Sequence, residues 1–382
     1  MNTIRLSTLN RFNLFALLFL LGLATGCKKE KIEINDEEDF KQFVIDEAYH
    51  ENVPAMSVMI FKDNEIKYEQ YFGQSDVDQG IDLESNHVFL LASVSKVITA
   101  TALLQLYDGG AFQLDDPINN YLPFNVNVPN ETTAITFKML LTHTSGIADG
   151  SALDGQYFYG QDSPNDLKDF LEAYLVPGGQ YYDADDNYYD FEPGTEHEYS
   201  NVGNALIAVL VEELSGTGFN AYCKQNIFVP MGMTNSFWRL DEINQPIVQP
   251  YNYSNGSYDA IGHYTFTDYP NGGLRSNAQD LFKLLSAFNQ GGVYNNYQLL
   301  ESATISAMLT PQIPNIDGEV GLHLFLMNAD NNLWGHDGGE QGVATIMAFN
   351  PGTKVGAIIL ANQGDANLDQ LLVEAYKYGL TL

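Results

Sequence analysis

Cysteine is nearly absent from this 382-residue chain: there are two, Cys27 and Cys223, so at most one disulfide could form. Basic residues are scarce as well, 17 Lys and Arg against 49 Asp and Glu, for a formal charge of −32. A field of that sign repels phosphate backbones, which excludes nucleic acid as a natural partner. Charged residues make up only 17% of the chain against 45% hydrophobic residues, a balance outside the range of disordered proteins. No internal repeat marks a solenoid. The apolar stretch at 14–23 is shorter than the roughly 20 residues a membrane-spanning helix needs. What remains is a folded chain long enough to bury a large core.

The N-terminus has the layout of a secretory signal: Arg5 and Arg11, the apolar stretch, then small residues before Cys27. The run Leu23-Ala24-Thr25-Gly26-Cys27 resembles a bacterial lipoprotein processing site. The expectation is therefore a signal peptide over 1–26, lipidation of Cys27, a charged tether over 27–39 and one folded domain over 40–382. Such a protein is an exported lipoprotein of the cell envelope, bound to a membrane through its lipid. With Cys27 acylated no intrachain disulfide remains, and Cys223, in an apolar helical stretch, reads as a small buried hydrophobe.

Helical spacing starts at Phe40 and stops at Val53-Pro54. Strands follow at 56–61 and 66–72 around a turn at Lys62-Asp63-Asn64. Helices are predicted at 93–107, 136–143, 201–214, 277–288 and 302–309, strands at 321–327, 343–350 and 355–361, and a last helix at 368–378. Strands at both ends around a helical middle predict an α+β fold: an antiparallel sheet, completed by the two termini and flanked by terminal helices, with an inserted, mainly helical region.

Three segments carry chemistry. In Leu90-Leu91-Ala92-Ser93-Val94-Ser95-Lys96, Ser93 and Lys96 share one helical face, placing an amine beside a hydroxyl. A serine needs a neighbour to take its proton, and a partly buried lysine of lowered pKa can do so. In Pro193-Gly194-Thr195-Glu196-His197-Glu198-Tyr199-Ser200-Asn201, Tyr199 and Asn201 can reach one cleft from a loop-to-helix junction. Tyr199 could relay the serine's proton if cationic neighbours lower its pKa, and Asn201 could bond a substrate amide; taken alone they read as a packing aromatic and a helix cap. In Trp334-Gly335-His336-Asp337-Gly338-Gly339-Glu340-Gln341-Gly342, read as a glycine-rich turn before a strand, backbone N–H groups are free to meet an oxyanion.

Taken together, in this order, these segments resemble the class C-like branch of the serine β-lactamase and penicillin-binding family, with its S-x-x-K, Y-x-N and K/H-x-G motifs. Residues 140–147, LLTHTSGI, and 270–281, PNGGLRSNAQDL, are similar to the same family. The resemblance spans about residues 40–380 and implies a β-lactamase/transpeptidase-like fold. It implies Ser93 as nucleophile, Lys96 and Tyr199 as proton carriers and Asn201 as substrate-positioning residue. The oxyanion hole would lie around Gly338 and Gly339, at the N–H groups of Ser93 and Gly339. His336 stands where many relatives carry lysine; being largely neutral at pH 7, it would grip a substrate carboxylate less firmly and could relay protons instead. His143 reads as a structural loop residue.

Between 155 and 190 lies an acidic, aromatic insertion with Tyr157, Phe158, Tyr159, Tyr181, Tyr182, Tyr188 and Tyr189, read as packing the loop onto its own domain rather than lining the cleft rim. Asp183, Asp185 and Asn187 have the alternation of a calcium loop, but Tyr188 and Gly194 stand where that loop needs glycine and glutamate, so a solvated acidic loop is expected. The function expected is a cell-envelope serine hydrolase acting on esters, amides or D-amino-acid peptides, without metal or organic cofactor. Two other readings remain open: a class C-like β-lactamase, and an inactive binding or sensor protein that keeps the fold.

Overall fold

The computed structural model describes residues 33–382, so the proposed signal peptide, Cys27 and the first part of the tether lie outside the described residues. Helix α1 (Glu37–His50) opens at Glu37 rather than at Phe40. Asp36 caps it by accepting from the Asp39 N–H, and Glu37, Glu38 and Asp39 complement its dipole. The end of the stretch read as tether is thus the helix's first turn.

Seven strands build the main sheet: β1 (Ala55–Lys62), β2 (Glu65–Asp76), β3 (Ile81–Asp82), β4 (Phe325–Asn328), β5 (Leu333–Glu340), β6 (Val343–Asn350) and β7 (Val355–Ala361). Their order is β4-β5-β6-β7-β1-β2-β3, with every pair antiparallel. The N-terminal strand β1 therefore lies between β2 and the C-terminal strand β7, and the chain's two ends complete one sheet.

Period-two alternation on the central strands divides two cores. Met56, Val58 and Ile60 of β1, with Ile346 of β6 and Ile359 of β7, face α1 and the final helix. That helix, α7, runs over Asp369–Thr381. Met59, Phe61, Met347, Phe349, Ile358 and Leu360 face the inserted helical region. That region contains α2 (Ser95–Asp108), α3 (Phe137–Leu141), α4 (Leu167–Leu175), α5 (Asn201–Ser215) and α6 (Ala278–Asn289). Apolar burial on both faces supplies most of the sheet's stabilisation, roughly 25 cal/mol per Å².

Three local readings change. The helix predicted from Ser93 begins at Ser95, and Ala92–Val94 is a 3₁₀ turn. The strand predicted at 321–327 covers only Phe325–Asn328, because His323 takes a left-handed φ of 56° that breaks the extended backbone. The glycine segment read as a turn is itself strand β5, paired with β6 from Trp334 to Glu340 and with β4 over Leu333–Gly335, so its second edge is open at Gly338 and Gly339. Glycine is needed there for close approach: a Cβ on Gly335 would stand 1.9 Å from the Met347 carbonyl oxygen.

Candidate active site

Ser93 sits on the short turn that leads into α2, and Ala92 before it holds a left-handed φ of 48°, a strained conformation for a residue with a Cβ. β5 presses on this turn from one side. A Cβ on Gly338 would lie 2.6 Å from the Leu91 carbonyl oxygen and 2.9 Å from the Ser93 nitrogen, so only glycine lets the strand approach the nucleophile so closely.

Lys96 lies one turn on, fully buried. Its Nζ is 3.0 Å from Ser93 Oγ, 2.7 Å from Asn201 Oδ1 and 2.7 Å from the Asn271 carbonyl oxygen. Two of these three neighbours can only accept, so the neutral amine spends its two N–H donors on them and turns its lone pair toward Ser93. Burial pushes the Lys96 pKa down to about 7, with Asp149, Asp268, Glu340 and Asp337 opposing the fall. A useful fraction of this lysine is a free base near neutral pH.

Asn201 does not cap α5; Ser200 does, accepting from the Gly203 N–H at 2.8 Å. Asn201 is the first helical residue, and its amide spans Lys96 through Oδ1 and Asp149 through Nδ2, the latter at 2.8 Å. Asp149 also accepts the backbone N–H groups of Asn201 and Val202, at 2.9 and 3.0 Å, which fixes the start of the helix against the lysine.

Tyr199 places its ring 4.9 Å under the Lys96 ammonium position. Its hydroxyl is buried and makes no hydrogen bond of good geometry, although Ser93 lies close enough to draw its pKa down a little. Burial outweighs that pull and raises the Tyr199 pKa, the reverse of the lowering by cationic neighbours that its motif suggests. The tyrosine therefore stays a neutral hydroxyl.

Behind Tyr199 stands a column of histidine rings. His143 stacks on Tyr199 at 4.4 Å and on His323 at 4.8 Å, while Phe325 meets His336 edge-on at 5.2 Å. His143 holds a left-handed φ of 53° and accepts the Ser200 N–H on Nδ1, so its proton is on Nε2. It is a structural support for the tyrosine. His336 is 1% exposed, and its Nδ1–H donates to the Asp337 carbonyl oxygen at 2.5 Å. Burial and Lys96 push its pKa down to about 3, so it carries no charge at neutral pH. It touches Tyr199 edge-on and does not border the cleft over Ser93.

The cleft over Ser93 has a volume of about 90 Å³ and is lined by Ser93, Asn201, Asn271, Gly339, Asp268, Glu340 and Tyr157 among others. Ser93, Lys96, Tyr199 and Asn201 are thus brought together, with Gly338 beneath and Gly339 at the rim. Asp149, Asp268 and Asn271 were given no role on the sequence. Asp149 lies just past the LLTHTSGI segment and Asn271 inside the PNGGL segment, so both were within sight of the motifs.

The insertion divides its aromatics. Tyr188 is in the core, donating to the Leu175 carbonyl oxygen at 2.6 Å, and Tyr181 and Tyr182 pack against that core. Tyr157 instead lines the cleft and donates to Glu340 Oε2 at 3.1 Å. Asn187 is buried, with its Nδ2 given to the carbonyls of Tyr174 and Tyr181 at 2.8 Å each. Cys223 is buried and its thiol pKa raised by burial.

The family described as "Beta-lactamase" matches residues 40–376. Protein flp of Staphylococcus aureus (strain MRSA252) is 22% identical over 336 residues, which cover 84% of this chain and 62% of that protein. The chain thus spans less than two thirds of flp. Penicillin-binding protein 4* of Bacillus subtilis (strain 168) is 25% identical over 342 residues, covering 84% of this chain and 71% of the relative. Among solved structures, the penicillin-binding protein of Bacillus halodurans superposes with a TM-score of 0.70 at 24% identity, covering 88% of this chain and 98% of the other. A class C beta-lactamase superposes with a TM-score of 0.68 at 20% identity, covering 90% and 94%. A class C β-lactamase thus shares the fold, and with a family match over nearly the whole described chain this protein belongs to the beta-lactamase family of serine hydrolases.

Proposed function

We propose that the chain is an exported serine hydrolase of the cell envelope, anchored through a lipid on Cys27. It opens esters, amides or D-amino-acid peptides, including cell-wall peptide, through an acyl-enzyme on Ser93. The observation that carries this reading is the buried Lys96 amine, 3.0 Å from Ser93 Oγ with both remaining partners acceptors. The Ser93 hydroxyl proton moves to Lys96 Nζ as Oγ bonds the carbonyl carbon. The tetrahedral oxyanion is met by the N–H groups of Ser93 and Gly339, both at the cleft. Collapse breaks the bond to the leaving group, which takes the proton back from Lys96. Water then attacks the acyl ester by the same route in reverse, returning Ser93.

Tyr199 contributes a neutral hydroxyl beside Ser93, and His336 acts through Tyr199 as a positioning residue. A neutral, buried His336 offers no charge to a substrate carboxylate, which favours the esterase and peptidase readings over a β-lactamase. The intact Ser93–Lys96–Asn201 network argues against an inactive binding protein.

The test is turnover of a short-chain chromogenic ester by the purified protein and its Ser93→Ala variant. Turnover should fall by at least about 10³-fold in the variant, with a chromogenic cephalosporin used only slowly by the native protein. Equal rates from the two proteins would end the hydrolase reading.

A further inference from the structure

The last turn of α1 and its cap read Glu47-Ala48-Tyr49-His50-Glu51, and the acyl-enzyme steps use none of these residues. Positions three and four apart on a helix share one face, so Glu47, His50 and the C-cap residue Glu51 gather at one spot. One carboxylate oxygen of each glutamate and one ring nitrogen of His50 all lie within 4.8 Å of one another. The helix that carries them packs on the sheet face opposite the inserted region that carries Ser93.

Glu47 separates this cluster from an ordinary patch of surface acids. It is only 9% exposed, and among the described residues no hydrogen bond or ion pair reaches its carboxylate. Burying a carboxylate without a donor is costly. The groups it faces do not relieve that cost: Glu51 is a second acid, and His50 turns its Nδ1 to Glu51 Oε1 at 2.8 Å. Among the described residues neither glutamate has a lysine or arginine within ion-pair reach. Glu51 is meanwhile held in aim, because its Oε2 accepts the Asn367 N–H at 2.9 Å and leaves Oε1 on the His50 side. A second donor that fixes the outer oxygen of a carboxylate is the usual support of a metal ligand. The carbonyl end of α1 adds a negative potential that favours a cation at this place.

We propose that Glu47, His50 and Glu51 form a binding site for a divalent transition-metal ion of the zinc class. The donor set decides the class. An imidazole nitrogen with two carboxylate oxygens suits zinc and its first-row neighbours, whereas calcium takes about six to eight oxygens and magnesium keeps most of its water. Ligands that share a tetrahedral ion at about 2.0–2.2 Å stand about 3.4 Å apart, and rotation of three side chains already within 4.8 Å closes that gap. The ion replaces the His50–Glu51 hydrogen bond and supplies the positive charge that Glu47 lacks. Through Glu51 and Asn367 it ties the end of α1 to the loop leading into α7, so its role is structural and separate from the chemistry at Ser93.

Two measurements decide it. First, the purified protein is stripped with a chelator, dialysed and titrated calorimetrically with zinc chloride, with calcium and magnesium chloride in parallel. One equivalent of zinc should bind, with calcium and magnesium at least about tenfold weaker. Glu47→Gln and His50→Ala should each weaken zinc binding by at least about tenfold. Second, zinc should raise the thermal midpoint of the native protein, and His50→Ala should lose that rise. Zinc affinity and stoichiometry left unchanged by both substitutions would overturn the proposal, as would calcium bound as tightly as zinc or a native midpoint that zinc does not move. The His50 side chain is 61% exposed, so His50→Ala keeps the test decisive where Glu47→Gln fails to fold. Neither readout involves turnover, so the proposal stands or falls independently of the hydrolase reading.

Discussion

The two sides of the nucleophile are built by different physics. On the Lys96 side every polar atom has a named partner: the amine meets Ser93, Asn201 and Asn271, and Asn201 is tied in turn to Asp149. On the Tyr199 side the rings of His143, His323, Phe325 and His336 stack or meet edge-on, His143 Nε2 and His336 Nε2 are buried without partners, and Tyr199 Oη has only the nearby Ser93 hydroxyl. Directional bonds set where a proton goes, whereas ring packing sets where a hydroxyl stands. The difference teaches that basicity in this site comes from Lys96, with Tyr199 held as a neutral neighbour.

The largest effect should come from breaking the bonded side. Lys96→Met is expected to lower kcat by roughly 10²–10⁴-fold, the range for losing a general base, measured on the chromogenic ester with the Ser93→Ala background subtracted. The native rate should rise with pH through about 7 as Lys96 loses its proton, and the variant should lack that limb. Stability gives the same group a second signature. Lys96 is depressed in the folded state, so above about 7 the unfolded chain binds the extra proton and stability rises with pH until the unfolded lysine titrates, near 10.4. The destabilisation due to this lysine is thus fullest below about 7, and the stability gained by Lys96→Met should shrink as pH is raised.

A middle-sized effect is expected at Asp149, which holds the bonded side together without touching the cleft. Asp149→Ala should cost about 1 kcal/mol of stability through the lost helix-start contacts, seen as a lower denaturant midpoint. Its kcat should fall about tenfold with KM little changed, because Asn201 loses the anchor that aims it at Lys96. Retained kcat would show that Lys96 is placed without it.

His336→Gln is the smallest and sharpens the contrast. Since the ring is buried, neutral and behind Tyr199, kcat should change less than about tenfold and the pH profile should keep its shape. A basic limb near pH 6 that disappears in this variant would instead make His336 a working proton carrier.

Much of the fold was legible because its signals are local. The period-two alternation of β1, β6 and β7 and the turn at Lys62-Asp63-Asn64 depend on neighbours a few residues apart. The same holds for the helix ending at Gly216, whose φ of 67° needs no side chain. Segment 334–342 misled for a related reason: its glycines look like a turn until β6 supplies a partner strand from Trp334 to Glu340.

The residue types at the site were likewise written in the chain: Ser93 and Lys96 by helical spacing, Tyr199 and Asn201 by their place before a helix, Gly338 and Gly339 by their density of glycine. Their behaviour was decided elsewhere. The partners that orient Lys96 come from Asn201 and Asn271, 105 and 175 residues away, and the burial that lowers its pKa comes from the whole inserted region. Burial likewise reversed the expected shift of Tyr199, buried His336 behind it, and set Asp268 beside Glu340 over the nucleophile. Spacing along a chain fixes which face a side chain shares with its near neighbours, but desolvation and hydrogen-bond partners are properties of the space the whole chain encloses, and only the tertiary structure defines that space.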